Sequence, residues 1–167
     1  GAGKDIDPSL ISSTIESLYI TYKHVNNGDS FPTRQTSLNS IMDRLSNNGV
    51  YLRDLTIESN DNIIYGINID GLRYLTTLST KGIDTNKYET LPPLVTSLRV
   101  QYGNIVNVQR FEGLTHIDIT SYYFNGQILS LPKSIVNLRL SFVNPIANVD
   151  LNGCKDLKKL DISSAMY

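Results

Sequence analysis

One pattern limits what this chain can fold into more than any other. An apolar-x-x-apolar-x-apolar sextet returns seven times along it, as Ile15-Glu-Ser-Leu18-Tyr-Ile20, Leu52-Arg-Asp-Leu55-Thr-Ile57, Leu75-Thr-Thr-Leu78-Ser-Thr80, Val95-Thr-Ser-Leu98-Arg-Val100, Leu114-Thr-His-Ile117-Asp-Ile119, Ile135-Val-Asn-Leu138-Arg-Leu140 and Leu157-Lys-Lys-Leu160-Asp-Ile162. With the middle apolar residue as marker (Leu18, Leu55, Leu78, Leu98, Ile117, Leu138, Leu160), the intervals are 37, 23, 20, 19, 21 and 22 residues. The last four positions of each sextet alternate, which is the period of a strand with one face turned inward. A single strand of that kind cannot bury its own apolar face. An array of them can, because stacked units share one continuous interior, and the pattern therefore predicts a solenoid with a parallel sheet.

The long first interval contains Leu38, Ile41, Met42 and Leu45 at helical spacing, preceded by Thr36-Ser37 and followed by Asn47-Asn48-Gly49. Ser or Thr caps a helix start and Gly suits the left-handed residue after its end, so a helix on the convex side is predicted over 37–47. The later intervals carry Pro92-Pro93, Pro132 and Pro145. Their returns are predicted to be extended or single-turn segments, because proline interrupts a helix ladder. The class is α/β, with the whole span 1–167 as one domain and residues 1–4 read as an expression scar.

Two units narrow the resemblance. Leu91-Pro-Pro-Leu-Val-Thr-Ser-Leu98-Arg-Val and Leu131-Pro-Lys-Ser-Ile-Val-Asn-Leu138-Arg-Leu resemble the start of FNIP-type leucine-rich repeats, and Phe124-Asn-Gly-Gln-Ile128 and Phe142-Val-Asn-Pro-Ile146 resemble that family's F-N-x-P-I element. The general resemblance to leucine-rich repeats spans about 11–163, and the FNIP-like part about 91–150. It implies a solenoid of about seven repeats, with the sheet on the concave face, acting as an interaction module of the kind found in social amoebae, giant viruses and bacterial effectors. The chain departs from the common pattern five residues after all but one of its markers. There Lys23, Asn60, Ile83, Gly103, Tyr122, Val143 and Ala165 stand where an inward Asn is frequent, with Asn104 and Asn144 one place later.

In parallel strands held in register, the residue after each marker joins one concave row: Tyr19, Thr56, Ser79, Arg99, Asp118, Arg139, Asp161. Neighbouring strands lie about 4.8 Å apart, so the last four members alternate plus and minus. As exposed ion pairs they satisfy one another; as a stripe they recognise a partner of mixed charge. A second group, Tyr22, Tyr102, Tyr122, Tyr123 and Phe142, falls at the exit end of the strands. Phe142 there reads as core, whereas Tyr102 and Tyr122 join a large rigid face to a polar tip, as residues at binding hot spots do. His116 precedes its marker, between Ser97 and Asn137, and completes the candidate partner-binding set of Tyr19, Arg99, Tyr102, His116, Asp118, Tyr122, Arg139 and Asp161.

The remaining chemistry is mostly excluded. Lys and Arg number 15 against 16 Asp and Glu, a net charge of -1, which supplies no field for a nucleic-acid backbone or an anionic membrane. The single cysteine, Cys154, rules out an intrachain disulfide scaffold and is read as a buried small hydrophobe. His24 and His116 belong to strands too far apart to share a metal, and no phosphate loop or paired metal ligands occur, so no cofactor is expected. A Ser97, His116 and Asp hydrolase would need a nucleophile elbow and oxyanion donors that a flat parallel sheet lacks, so no catalytic residues are expected. The expectation is a binding protein, intracellular and cytoplasmic or delivered into a host cell, whose partner is another protein. The alternatives are a substrate-receptor arm of a larger assembly, such as a ubiquitin ligase or an effector, and a His116-dependent hydrolase. The last sextet lacks a polar capping segment, which predicts a second copy or an adjoining domain there.

Overall fold

The computed structural model describes residues 10–22, 31–59, 64–65, 67–84, 88–102, 108–121, 128–142 and 148–164. Each marker lies in a strand of one parallel sheet. The strands are β1 (Ser17–Tyr22), β2 (Asp54–Ser59), β4 (Thr77–Lys81), β6 (Ser97–Gln101), β7 (His116–Ser121), β9 (Asn137–Phe142) and β11 (Lys159–Ser164), and they lie side by side in chain order. The markers are register partners from edge to edge: Leu18 with Leu55, Leu55 with Leu78, Leu78 with Leu98, Leu98 with Ile117, Ile117 with Leu138, and Leu138 with Leu160. The chain is thus a parallel-strand solenoid, as the sextets predicted.

The register is held by a stitch repeated at the start of every strand. The carbonyl two residues before a marker accepts two successive N–H groups from the next unit: Arg53 O from Thr76 and Thr77, Thr96 O from Thr115 and His116, and Val136 O from Lys158 and Lys159. Both oxygen lone pairs are used, so slippage by one residue would unmake the stitch and turn every marker toward solvent. Behind the sheet, Leu55, Leu78, Leu98, Ile117 and Leu138 are buried with Ile57, Val100, Ile119 and Leu140 from the next inward positions. The last strand differs, because its inward Leu160 and Ile162 are 46% and 47% exposed. Phe142 is buried, in line with its reading as core.

The returns hold one α-helix among the described residues, α1 (Phe31–Asn47). It ends where expected, with Gly49 at φ 62, but starts six residues before the expected 37. Proline explains the longer helix: Pro32 falls in its first turn, where the missing N–H has no partner to lose and the fixed φ is already helical. Thr36 and Ser37 are therefore interior. Leu38, Ile41, Met42 and Leu45 are buried against the sheet, as their spacing predicts. The helix packs so closely on the next return that a Cβ at Gly71 would collide with Cβ and Oγ of Ser46. Elsewhere the returns form two small parallel pairs, β3 (Ile64–Tyr65) with β5 (Ile83–Asp84) and β8 (Ile128–Ser130) with β10 (Asn148–Asp150). Of the positions five after each marker, all but Ile83 lie outside the described residues, as do Asn104 and Asn144.

Candidate functional site

Alternation that buries the markers must expose the residues on either side of them. Two outward rows result, one before the markers (Thr77, Ser97, His116, Asn137, Lys159) and one after (Ser79, Arg99, Asp118, Arg139, Asp161), and their members are register partners across neighbouring strands. Together with Thr56 they line a groove of about 520 Å³ that crosses the sheet from β2 to β11. One end is floored by short hydroxyls and the other by charges.

The charged end is organised in pairs. Arg99 Nε donates to Asp118 Oδ2 at 3.0 Å, and Arg139 Nε lies 3.5 Å from Asp161 Oδ2. Asp118 and Arg139 are register partners, yet no ion pair joins them among the described residues, so the expected continuous ladder is two separate couples. The Asp118 side chain is 26% exposed against 50% for Arg99, which makes the carboxylate the anchor and the guanidinium the exposed arm. Both pairs face water, where such contacts contribute about 0–1 kcal/mol. Their effect is on geometry more than on stability.

His116 is exposed in the same groove, and its Nδ1 lies 2.8 Å from Thr115 Oγ1. The hydrogen bonds that would link Ser97, His116 and Asp118 into a nucleophilic relay are made elsewhere, by Asp118 to Arg99 and by His116 to Thr115. Among the described residues no cluster of three or more His, Cys, Asp or Glu is placed to hold a metal.

Of the residues read from the sequence, the groove brings together Arg99, His116, Asp118, Arg139 and Asp161. Tyr19 is exposed on β1 but lies outside the groove lining. Tyr102 is exposed just past β6 at φ 55, a left-handed conformation, with Lys81 Nζ 5.9 Å from its ring centroid. Tyr122 lies outside the described residues. Cys154 is half-buried rather than buried, packed at the margin of the core with its thiol pushed up by desolvation and then by Asp150.

Two features escaped the sequence reading. Lys159 and Thr77 belong to the row before the markers and needed only the same alternation to be found. The other feature sits four residues before the markers, where Tyr51, Tyr74 and Leu94 are exposed in consecutive units. The rings of Tyr51 and Tyr74 lie 4.3 Å apart, and the hydrogen bond that the Tyr74 hydroxyl donates to Tyr51 raises the Tyr74 phenol above its ordinary pKa. Their common offset was a legible signal.

Fold and groove together define a parallel-β solenoid with a charged groove across its main sheet. No protein family, curated protein or solved structure matches the chain. Among the described residues, no helix is long and apolar enough to cross a membrane.

Proposed function

We propose that the chain is a protein-binding solenoid of the leucine-rich-repeat type, in which the seven sextets are seven repeats and the concave groove receives a segment of a partner protein. The observation that carries this reading is the groove itself: a concavity of about 520 Å³ lined from six consecutive strands, with Arg99 and Arg139 steadied by Asp118 and Asp161. Arginine supplies a planar fork of donors, and a fork already held in place loses less freedom when it binds. The FNIP-like character of residues 91–150 belongs to the same reading, as do Tyr19 and Tyr102 as flanking contacts.

The test is site-specific photocrosslinking in the source cell. A photoreactive residue at Ser79, on the groove, is expected to trap one discrete protein, and that adduct is expected to vanish when Arg99→Glu and Arg139→Glu are introduced together in a chain with unchanged circular dichroism. The same probe at Asn68, which is exposed on a return, is expected to trap nothing in common with it. Identical adducts from both positions, or an adduct indifferent to the double substitution, would remove the concave face from the account.

A further inference from the structure

We propose that the groove is built to take the carboxylates of an extended acidic peptide segment, a reading that rests on the groove being a protein-binding surface. Arg99, Arg139 and Lys159 outnumber Asp118 and Asp161 in the lining, in a chain whose net charge is -1. Both carboxylates are already engaged, Asp118 with Arg99 and Asp161 with Arg139. Each of those contacts uses Nε, one of five N–H donors on a guanidinium. The terminal amino groups are the part of each fork suited to a carboxylate. Lys159 adds a cation with no ion-pair partner among the described residues.

His116 contributes a donor as well, and the hydrogen-bond count around Thr115 says why. Thr96 O accepts from Thr115 N at 2.9 Å and from His116 N at 3.0 Å, which fills both of its lone pairs. The Thr115 hydroxyl approaches the same oxygen at 3.2 Å but reaches His116 Nδ1 at 2.8 Å. Its proton is better used on the nitrogen. A Nδ1 that accepts leaves the ring proton on Nε2, so His116 offers an N–H in a groove that already offers guanidinium and ammonium N–H groups. A surface of donors is complementary to acceptors and to negative charge.

The dimensions select an extended chain. Six strands at about 4.8 Å span about 24 Å, the reach of roughly seven extended residues. Arg99 and Arg139 are two strands apart, about 10 Å, which matches acidic residues three apart in an extended segment of polyproline II form, where every third side chain shares a face. The neutral end, with Thr56, Thr77, Ser79 and Ser97, offers hydroxyls to the backbone of the remainder.

The experiment is a display selection of random heptapeptides on the intact chain. Enrichment of Asp or Glu, most strongly as pairs three residues apart, is expected. Selected peptides remade with Asn or Gln at those positions are expected to bind at least about ten-fold more weakly, the scale of a charge-assisted hydrogen bond. The same loss is expected with Arg99→Gln, Arg139→Gln and Lys159→Gln combined, and wild-type affinity is expected to fall as salt rises. Groove-dependent peptides without acidic enrichment would overturn the carboxylate proposal while leaving a protein-binding groove. Peptides insensitive to every groove substitution would overturn both. No groove-dependent selection, or a groove-dependent preference for a single-stranded oligonucleotide, would overturn the proposal too. The histidine is checked separately by long-range proton–nitrogen correlation: a proton resident on Nδ1 rather than Nε2 contradicts its role as donor.

Discussion

Leu78→Ala and Leu160→Ala make the same chemical change at the same place in the sextet, and the structure assigns them different costs. Leu78 is fully buried on β4 between Leu55 and Leu98, which are buried as well. Truncation there loses about 2.4 kcal/mol of transfer free energy at about 0.8 per carbon, and the strands on both sides hold the cavity open, for a total of about 3–5 kcal/mol. Leu160 is 46% exposed on the last strand. It loses about half the transfer energy and leaves no closed cavity, so its cost is about 1 kcal/mol. In a chain of 167 residues these figures correspond to drops in melting temperature of roughly 6–20 °C and 2–4 °C. Urea titration and calorimetry of the two variants beside the parent measure the difference directly. Equal losses, or a larger loss at Leu160, would refute the claim that the markers share an interior closed on both sides at β4 and open at β11.

Further outcomes follow from particular side chains. Thr80 takes an inward place held elsewhere by Ile57 or Val100, and its buried hydroxyl has no hydrogen-bond partner among the described residues; Thr80→Val is expected to raise stability by about 1–2 kcal/mol in urea titration, and a loss would show that the hydroxyl is satisfied. Burial pushes the Tyr88 phenol up to about 12, offset in part by the hydrogen bond its oxygen accepts from Ile67 N. Its folded value thus lies above the unfolded value near 10, so the stabilising contribution is whole below pH 10 and is lost as pH climbs from 10 through 12. Ultraviolet titration should find a tyrosine step near pH 12 that disappears in Tyr88→Phe, with the same substitution flattening the alkaline decline. Gly71→Ala is expected to cost about 1–3 kcal/mol by thermal melting, since its Cβ meets Ser46 on the rigid helix α1; an unchanged melting temperature would mean the helix does not seat there.

The strands were legible because burial and sequence share one period. Every marker from Leu18 to Leu160 lies in the main sheet with the neighbours its place in the array implies, since a two-residue alternation turns all of them to the same face of the sheet. The helix was legible at its end, where Gly49 takes a left-handed φ, and misjudged at its start, because Thr36 and Ser37 have the composition of a cap while Pro32 is equally at home in a first turn. In the groove, the row holding Arg99, Asp118, Arg139 and Asp161 followed from alternation alone. Which charges pair did not: long side chains choose among neighbours at similar distances, and the choice of Asp118 by Arg99 depends on rotamers that no spacing encodes. Lys159 went unseen because the row before the markers was followed only from Ser97 through His116 to Asn137 and not on to the last strand. The tilted pair Tyr51 and Tyr74 lies outside the strands, where strand alternation makes no statement.

The decisive measurement is a methyl nuclear Overhauser spectrum of the isotope-labelled chain. If one interior row runs the length of the solenoid, cross-peaks should link Leu55 to Leu78, Leu78 to Leu98, Leu98 to Ile117 and Ile117 to Leu138 in unbroken succession. Markers that meet out of chain order, or whose methyls contact only solvent, would contradict the architecture on which the groove and its chemistry depend.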